Sequence, residues 1–228
     1  MKGEKTMELG AMIDCSRNAV TTVEALTRFL DLLSTMGYTF VGLYTEDTFE
    51  VPYEPYFGYQ RGRFTAEEIR EADCYAHSLG MELRPYIQTL AHLNQITGYA
   101  VYRDIIDTDD ILLAGEERTK ELVGRMLDAV CSAYQTKKVN IGMDEAHMVG
   151  LGKYLDRHGY RDRVSILMEH LEMVMELCRE RGLEPQMWSD MFFRLLSHGD
   201  YYGESGEAED SALEKIAVPE GLSLVYWD

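Results

Sequence analysis

The chain has 228 residues, with 40 Asp and Glu against 22 Lys and Arg, a formal net charge of -18. A surface that acidic repels phosphate groups, so nucleic acid and anionic membranes are excluded as expected partners. With 46% hydrophobic residues the chain can bury a sizeable core, yet no run is long and apolar enough to span a bilayer. The start, Met1-Lys2-Gly3-Glu4, lacks the apolar stretch of a signal peptide. Cys15, Cys74, Cys131 and Cys178 are scattered without a CxxC pair, which suits free thiols in a reducing compartment. The expectation is a soluble cytoplasmic protein with one large domain.

Glu8 to Ile13 reads as a first strand, followed by Asp14-Cys15-Ser16-Arg17-Asn18. Val23, Leu26, Phe29, Leu30 and Leu33 recur at helical spacing, which predicts a helix from Val20 to Met36 that Gly37 stops. Thr39 to Tyr44 is a second strand, leading into Thr45-Glu46-Asp47. A long loop with Tyr53, Tyr56, Phe57 and Tyr59 comes next. Thr65 with Glu68 three residues on forms a capping box that opens another helix.

Met81 to Ile87 is the third strand, and Gln88-Thr89-Leu90-Ala91-His92 follows it. The region up to Ala114 reads as polar loop. Glu116 to Tyr134 is helical. Lys138 to Met143 is a buried strand that ends in two adjacent carboxylates, Asp144 and Glu145. Arg161 to Arg181 is a strong helix, and Gln186-Met187-Trp188 is a fifth strand ending at Ser189-Asp190. A short helix near Ser211 to Ile216 precedes a sixth strand, Leu222 to Trp227.

Strand and helix alternate six times, which argues for parallel βαβ units. A doubly wound sheet could stop at six. Long aromatic loops after the strands favour a (β/α)8 TIM-barrel type α/β fold with about six of its eight units present, C-terminally incomplete over residues 1–228.

The polar residues cluster after the strands, where such a barrel carries its chemistry. Asp144 and Glu145 either serve that chemistry or merely favour the dipole of a following helix. Arg17 offers a planar fork for sugar hydroxyls or a carboxylate, or else pairs with Asp14 as a helix cap. Asp47 could fix the tautomer of His92. With His147 nearby, Asp144 and Glu145 could alternatively hold a divalent metal. Trp188 and Trp227 are either core residues or flat walls for a pyranose ring. The tyrosines of the long loop read first as packing and second as a sugar platform.

Taken together, Ile13-Asp14-Cys15-Ser16-Arg17, Tyr44-Thr45-Glu46-Asp47, Gln88-Thr89-Leu90-Ala91-His92, Ile141-Gly142-Met143-Asp144-Glu145 and Trp188-Ser189-Asp190 resemble glycoside hydrolase family 20, the β-N-acetylhexosaminidases. The likeness is to the branch with the streptococcal-type single-chain enzymes. It implies hydrolysis of terminal β-linked N-acetylhexosamine without cofactor or metal, on a carbohydrate substrate. Glu145 would be the general acid, and Asp144 would hold the substrate's own 2-acetamido group. Asp47 and His92 would tune Glu145, while Arg17, Trp188, Trp227 and Asp190 would bind the sugar.

Substrate assistance also fits a local expectation. Adjacent residues on one strand point to opposite faces, which would make Asp144 and Glu145 an awkward facing pair of acids. Gln88 departs from the Asp that much of the family has there. The family's acetamido-binding Tyr and a further pocket Trp belong to strands seven and eight. The alternatives are a divalent-metal sugar isomerase or epimerase and a non-catalytic sugar-binding partial barrel. An open barrel is expected to form homo-oligomers through its edges.

Overall fold

The computed structural model describes residues 7–194 and 218–226. Strand β1 (Gly10–Asp14) leads to helix α1 (Val23–Thr35). The helix starts later than its apolar periodicity suggests because Thr22 caps it. The Thr22 hydroxyl accepts the Ala25 N–H at 3.2 Å, pairing a donor that the first turn would otherwise leave open. Strand β2 (Phe40–Glu46) and the long loop precede α2 (Ala66–Ser78). The expected capping box forms there. Glu68 accepts the Thr65 N–H at 2.8 Å, and the Thr65 hydroxyl accepts the Glu68 N–H at 3.2 Å.

After β3 (Glu82–Ile87) the stretch expected as polar loop holds more structure. It contains a one-turn helix α3 (Asn94–Thr97), a 3-10 turn over Ala100–Ile105, and a hairpin of β4 (Ile106–Thr108) with β5 (Ile111–Leu112). Ile105, Ile111 and Leu112 are buried, and their burial holds this excursion onto the body. The chain continues through α4 (Glu117–Ala133), β6 (Lys138–Asn140), α5 (Lys153–His158) and α6 (Arg163–Glu180). Then come β7 (Glu184–Trp188), α7 (Asp190–Arg194) and β8 (Ser223–Val225). Trp227 and the helix expected at Ser211 to Ile216 lie outside the described residues.

The main sheet has the order β1-β2-β3-β6-β7-β8, with every pairing parallel. Each strand lies beside the one that precedes it in this series. A doubly wound sheet reverses its order at a switch point; this sheet never does. It curls as a half-barrel, and the C-terminal ends of its strands open on one face.

The core lies between the sheet and its helices. Val41, Leu43, Leu83, Val139 and Met187 pack in one cluster with Leu26, Leu30, Ile69, Leu122, Met126 and Leu171. Burying such a side chain stabilises the fold by about 1.5–3 kcal/mol. Tyr44, Tyr86 and Trp188 form a second, aromatic cluster, flanked by Phe40 and Val225. Tyr86 and Trp188 meet edge to face, with centroids 5.8 Å apart. Gly42 makes room for this layer, since a Cβ there would stand 2.8 Å from the Tyr86 ring. All four thiols are unbridged, and burial pushes Cys15 up to about 11.

Candidate active site

Strand β6 stops at Asn140, short of the expected end at Met143. The Asn140 side-chain oxygen accepts the Gly142 N–H at 2.8 Å, a local bond that competes with the strand ladder. Gly142, Met143 and Glu145 then take positive φ values of 73°, 69° and 53°. Only glycine fits at 142, because a Cβ there would lie 2.1 Å from the Gln88 side-chain oxygen. Asp144 and Glu145 therefore sit in a tight left-handed loop rather than on a strand. This corrects the expectation that they face opposite ways. Both reach the same imidazole: His92 Nε2 is 3.2 Å from Asp144 Oδ2 and 3.6 Å from Glu145 Oε2.

His92 is itself held in a left-handed conformation, with φ 58°. Its N–H donates to Asp110 Oδ2 at 3.1 Å. Burial disfavours the imidazolium, but the adjoining Asp144 and the charges of Glu46 and Asp110 outweigh it and raise the His92 pKa. Asp144 is fixed from its other side. Gln88 Nε2 donates to Asp144 Oδ1 at 2.6 Å and to the Tyr44 hydroxyl at 2.9 Å. Gln88 Oε1 accepts the Met143 N–H at 3.1 Å. With its donors and its acceptor engaged, the amide has one orientation.

The network runs on to Arg17. The Tyr44 hydroxyl donates to Glu46 Oε1 at 3.2 Å, and Arg17 Nη1 donates to the same oxygen at 2.9 Å. Glu46 is buried, which pushes its pKa up, while Arg17 and His92 pull it down. Strand β2 extends to this residue through a register shift between Tyr44 and Glu46, a bulge that re-aims the side chain. Nothing local in the sequence separates Glu46 from Asp47; the register shift against β3 does.

The expected Asp47–His92 dyad does not form. Asp47 Oδ1 accepts from Arg61 Nη2 at 3.2 Å and from Arg61 Nε at 3.3 Å. Arg61 also bonds the Asn18 side chain and the Ser16 carbonyl, so Asp47 clamps the long loop against the end of β1. Asp190 is fully buried and accepts the Glu145 N–H at 3.0 Å. It holds the backbone of the loop that carries Glu145. Asp14 accepts the Ser16 N–H at 2.8 Å and stands 3.9 Å from Arg17; it does not cap α1, because Thr22 does.

These residues surround a cavity of about 370 Å³ lined by Arg17, Tyr44, His92, Asp144, Glu145 and Trp188, among others. Its size is that of a small-molecule site. His147, considered above as a metal ligand, is half-buried. Among the described residues, no three His, Cys, Asp or Glu side chains are grouped to hold a metal ion. Among the same residues no helix is long and apolar enough to cross a membrane.

No family model matches the sequence, and no curated protein matches it. The fold does match solved structures. The chain superposes on the family 20 exo-β-N-acetylglucosaminidase of Vibrio harveyi, in complex with N-acetylglucosamine, with a TM-score of 0.76 at 16% identity. That match covers 98% of this chain and 38% of the other. The Flavobacterium johnsoniae chitobiase gives 0.72 at 19% identity, covering 97% and 38%. The Streptomyces plicatus N-acetyl-β-hexosaminidase gives 0.72 at 16%, covering 98% and 43%. The chain thus spans about two fifths of the length of these structures. Its α/β half-barrel has the fold of family 20 glycoside hydrolase catalytic domains.

Proposed function

We propose that the chain carries the catalytic face of an exo-acting β-N-acetylhexosaminidase, of the streptococcal-type branch, with the six strands as six of the eight units of a (β/α)8 barrel. The observation that carries this reading is the convergence of Asp144 and Glu145 on His92 at the wall of a sugar-sized cavity that Arg17 and Trp188 also line.

In this reading Glu145 donates its proton to the glycosidic oxygen as the bond to the anomeric carbon breaks. The carbonyl oxygen of the substrate's 2-acetamido group bonds to that carbon from the other side, giving an oxazolinium ion. Asp144, held by Gln88 and His92, accepts the acetamido N–H and offsets the positive charge. A water then attacks the anomeric carbon and yields its proton to Glu145 as the bond from the acetamido oxygen breaks, which restores the acetamido group and retains the configuration. Arg17 holds hydroxyls of the terminal sugar, and Trp188 walls the pocket.

Glu145→Gln tests this. The variant is expected to lose cleavage of natural β-N-acetylhexosaminides while retaining much more activity on aryl glycosides with a very acidic leaving group, which need little protonation. Equal losses on both would remove Glu145 from the acid role.

A further inference from the structure

The hairpin of β4 with β5 forms a two-stranded sheet of its own, yet two of its carboxylates reach the two loops that meet at the pocket. Asp110, at its turn, takes the loop after β3. Its Oδ2 accepts the His92 N–H at 3.1 Å, and its carbonyl accepts the Leu93 N–H at 3.2 Å. Further along, the Leu112 N–H donates to the Leu90 carbonyl at 2.8 Å.

Asp107, on β4, takes the loop after β6. Its Oδ2 accepts the Gly150 N–H at 2.6 Å and its Oδ1 accepts the Tyr154 N–H at 2.7 Å. The second bond serves the first turn of α5, where Gly152 has no side chain to cap the helix. Gly152 also lets the two segments close on each other, since a Cβ there would stand 2.2 Å from the Asp107 carbonyl oxygen. Between Glu145 and Gly150 the chain has little freedom. The His147 N–H donates to the Glu145 carbonyl at 2.7 Å and the Val149 N–H to the Ala146 carbonyl at 3.2 Å. Ala146 and Val149 are fully buried. A hold on Gly150 is thus passed through consecutive turns to Glu145.

Seating the hairpin does not require these carboxylates, because Ile105, Ile111 and Leu112 already bury its apolar side. Asp107 is only 7% exposed, and burying a carboxylate costs desolvation that an apolar side chain would not. Both of its oxygens engage the backbone of the loop that carries Glu145, while Asp110 engages the loop that carries His92. The two aspartates stand three residues apart on one hairpin. The spacing they control is the one between His92 Nε2 and Glu145 Oε2, 3.6 Å. Misplacing a reacting group by about 1 Å can lower a rate about a hundredfold.

From this we infer that the β4–β5 hairpin is a clamp that sets Glu145 relative to His92, with Asp107 and Asp110 as its two positioning residues. Its kinetic consequence rests on the proposed hydrolase reading, and it adds to that reading a spacing fixed from outside the main sheet.

Asp107→Asn keeps the volume and gives up one acceptor oxygen. On the full chain it is expected to lower kcat about tenfold on a β-1,4-linked N-acetylglucosamine dimer, with KM little changed. Hydrolysis of an aryl N-acetylglucosaminide with a very acidic leaving group should fall much less, because it needs the acid less; partial unfolding would lower both alike. Asp110→Asn, which keeps an acceptor for the His92 N–H, should recover most of the kcat that Asp110→Ala loses. The imidazole titration of His92, followed by NMR, reads the same spacing without turnover. Asp144, Glu145, Glu46 and Asp110 are the charges around it. Releasing Glu145 from its side lowers the midpoint in Asp107→Asn. Asp109→Asn, at the exposed turn position, removes the same charge and leaves midpoint and rates unchanged. Wild-type rates in Asp107→Asn, equal losses on the two substrates, or a wild-type His92 midpoint overturns the clamp. Failure of the wild type to hydrolyse either substrate counts against the hydrolase reading instead, and the His92 midpoint still decides the clamp.

Discussion

Gln88 donates an amide hydrogen to Asp144 at 2.6 Å while its own oxygen accepts the Met143 N–H of the same loop. One side chain at the end of β3 therefore sets both the path of the loop after β6 and the orientation of the carboxylate on it. A hydrogen bond to a charged group is worth about 1.5–3 kcal/mol. Gln88→Leu keeps the bulk and removes both interactions together with the bond to the Tyr44 hydroxyl. It is expected to reduce kcat/KM on 2-acetamido substrates roughly 10- to 100-fold, with KM changing less than kcat. An unchanged kcat would remove Gln88 from the support of Asp144.

Asp144→Asn tests the partner. Its loss as an anion beside the acetamido group is expected to cost on the order of 3 kcal/mol in the transition state. Paired 2-acetamido and 2-hydroxy substrates separate this from a general loss of fold. A wild type that cleaves both equally well would rule out substrate assistance.

His92 gives a pH signature. Its folded pKa is raised above the usual value of about 6.5, because neighbouring carboxylates outweigh its burial. A raised histidine pKa contributes stability that is fully present below about pH 6.5 and is lost as pH rises through the folded value. The stability gap between wild type and His92→Gln, measured by urea unfolding, should therefore be widest near about pH 6 and narrow as the pH rises through the folded value. A gap that widens with rising pH would contradict the ion pairing with Asp144.

Strands β1 and β8 each pair on one side only among the described residues. Met12 on β1 is 51% exposed. Unpaired strand edges are templates for another chain. Sedimentation of the 228-residue chain should show concentration-dependent dimers that Met12→Lys weakens, with the charge of -18 opposing larger aggregates. A monomer at every concentration would dismiss this association.

The alternation of strands and helices, the capping box at Thr65 and the stretches that carry the site are legible along the chain, segment by segment. These rest on local physics: the periods of 2 and 3.6 residues and side chains that bond their own turn. Which groups meet depends on contacts between distant segments. The sequential strand order separates a half-barrel from a doubly wound sheet, and it depends on pairings between residues far apart in the chain. The left-handed turns at Met143 and Glu145 are unusual for side chains with a Cβ. Gln88 and Asp190, which come from other strand ends, hold the backbone there and turn both carboxylates to one histidine. A bulge in β2 likewise sends Glu46 rather than Asp47 into the cavity network. A chain read one segment at a time carries no record of such contacts, because each needs two strand ends already in place.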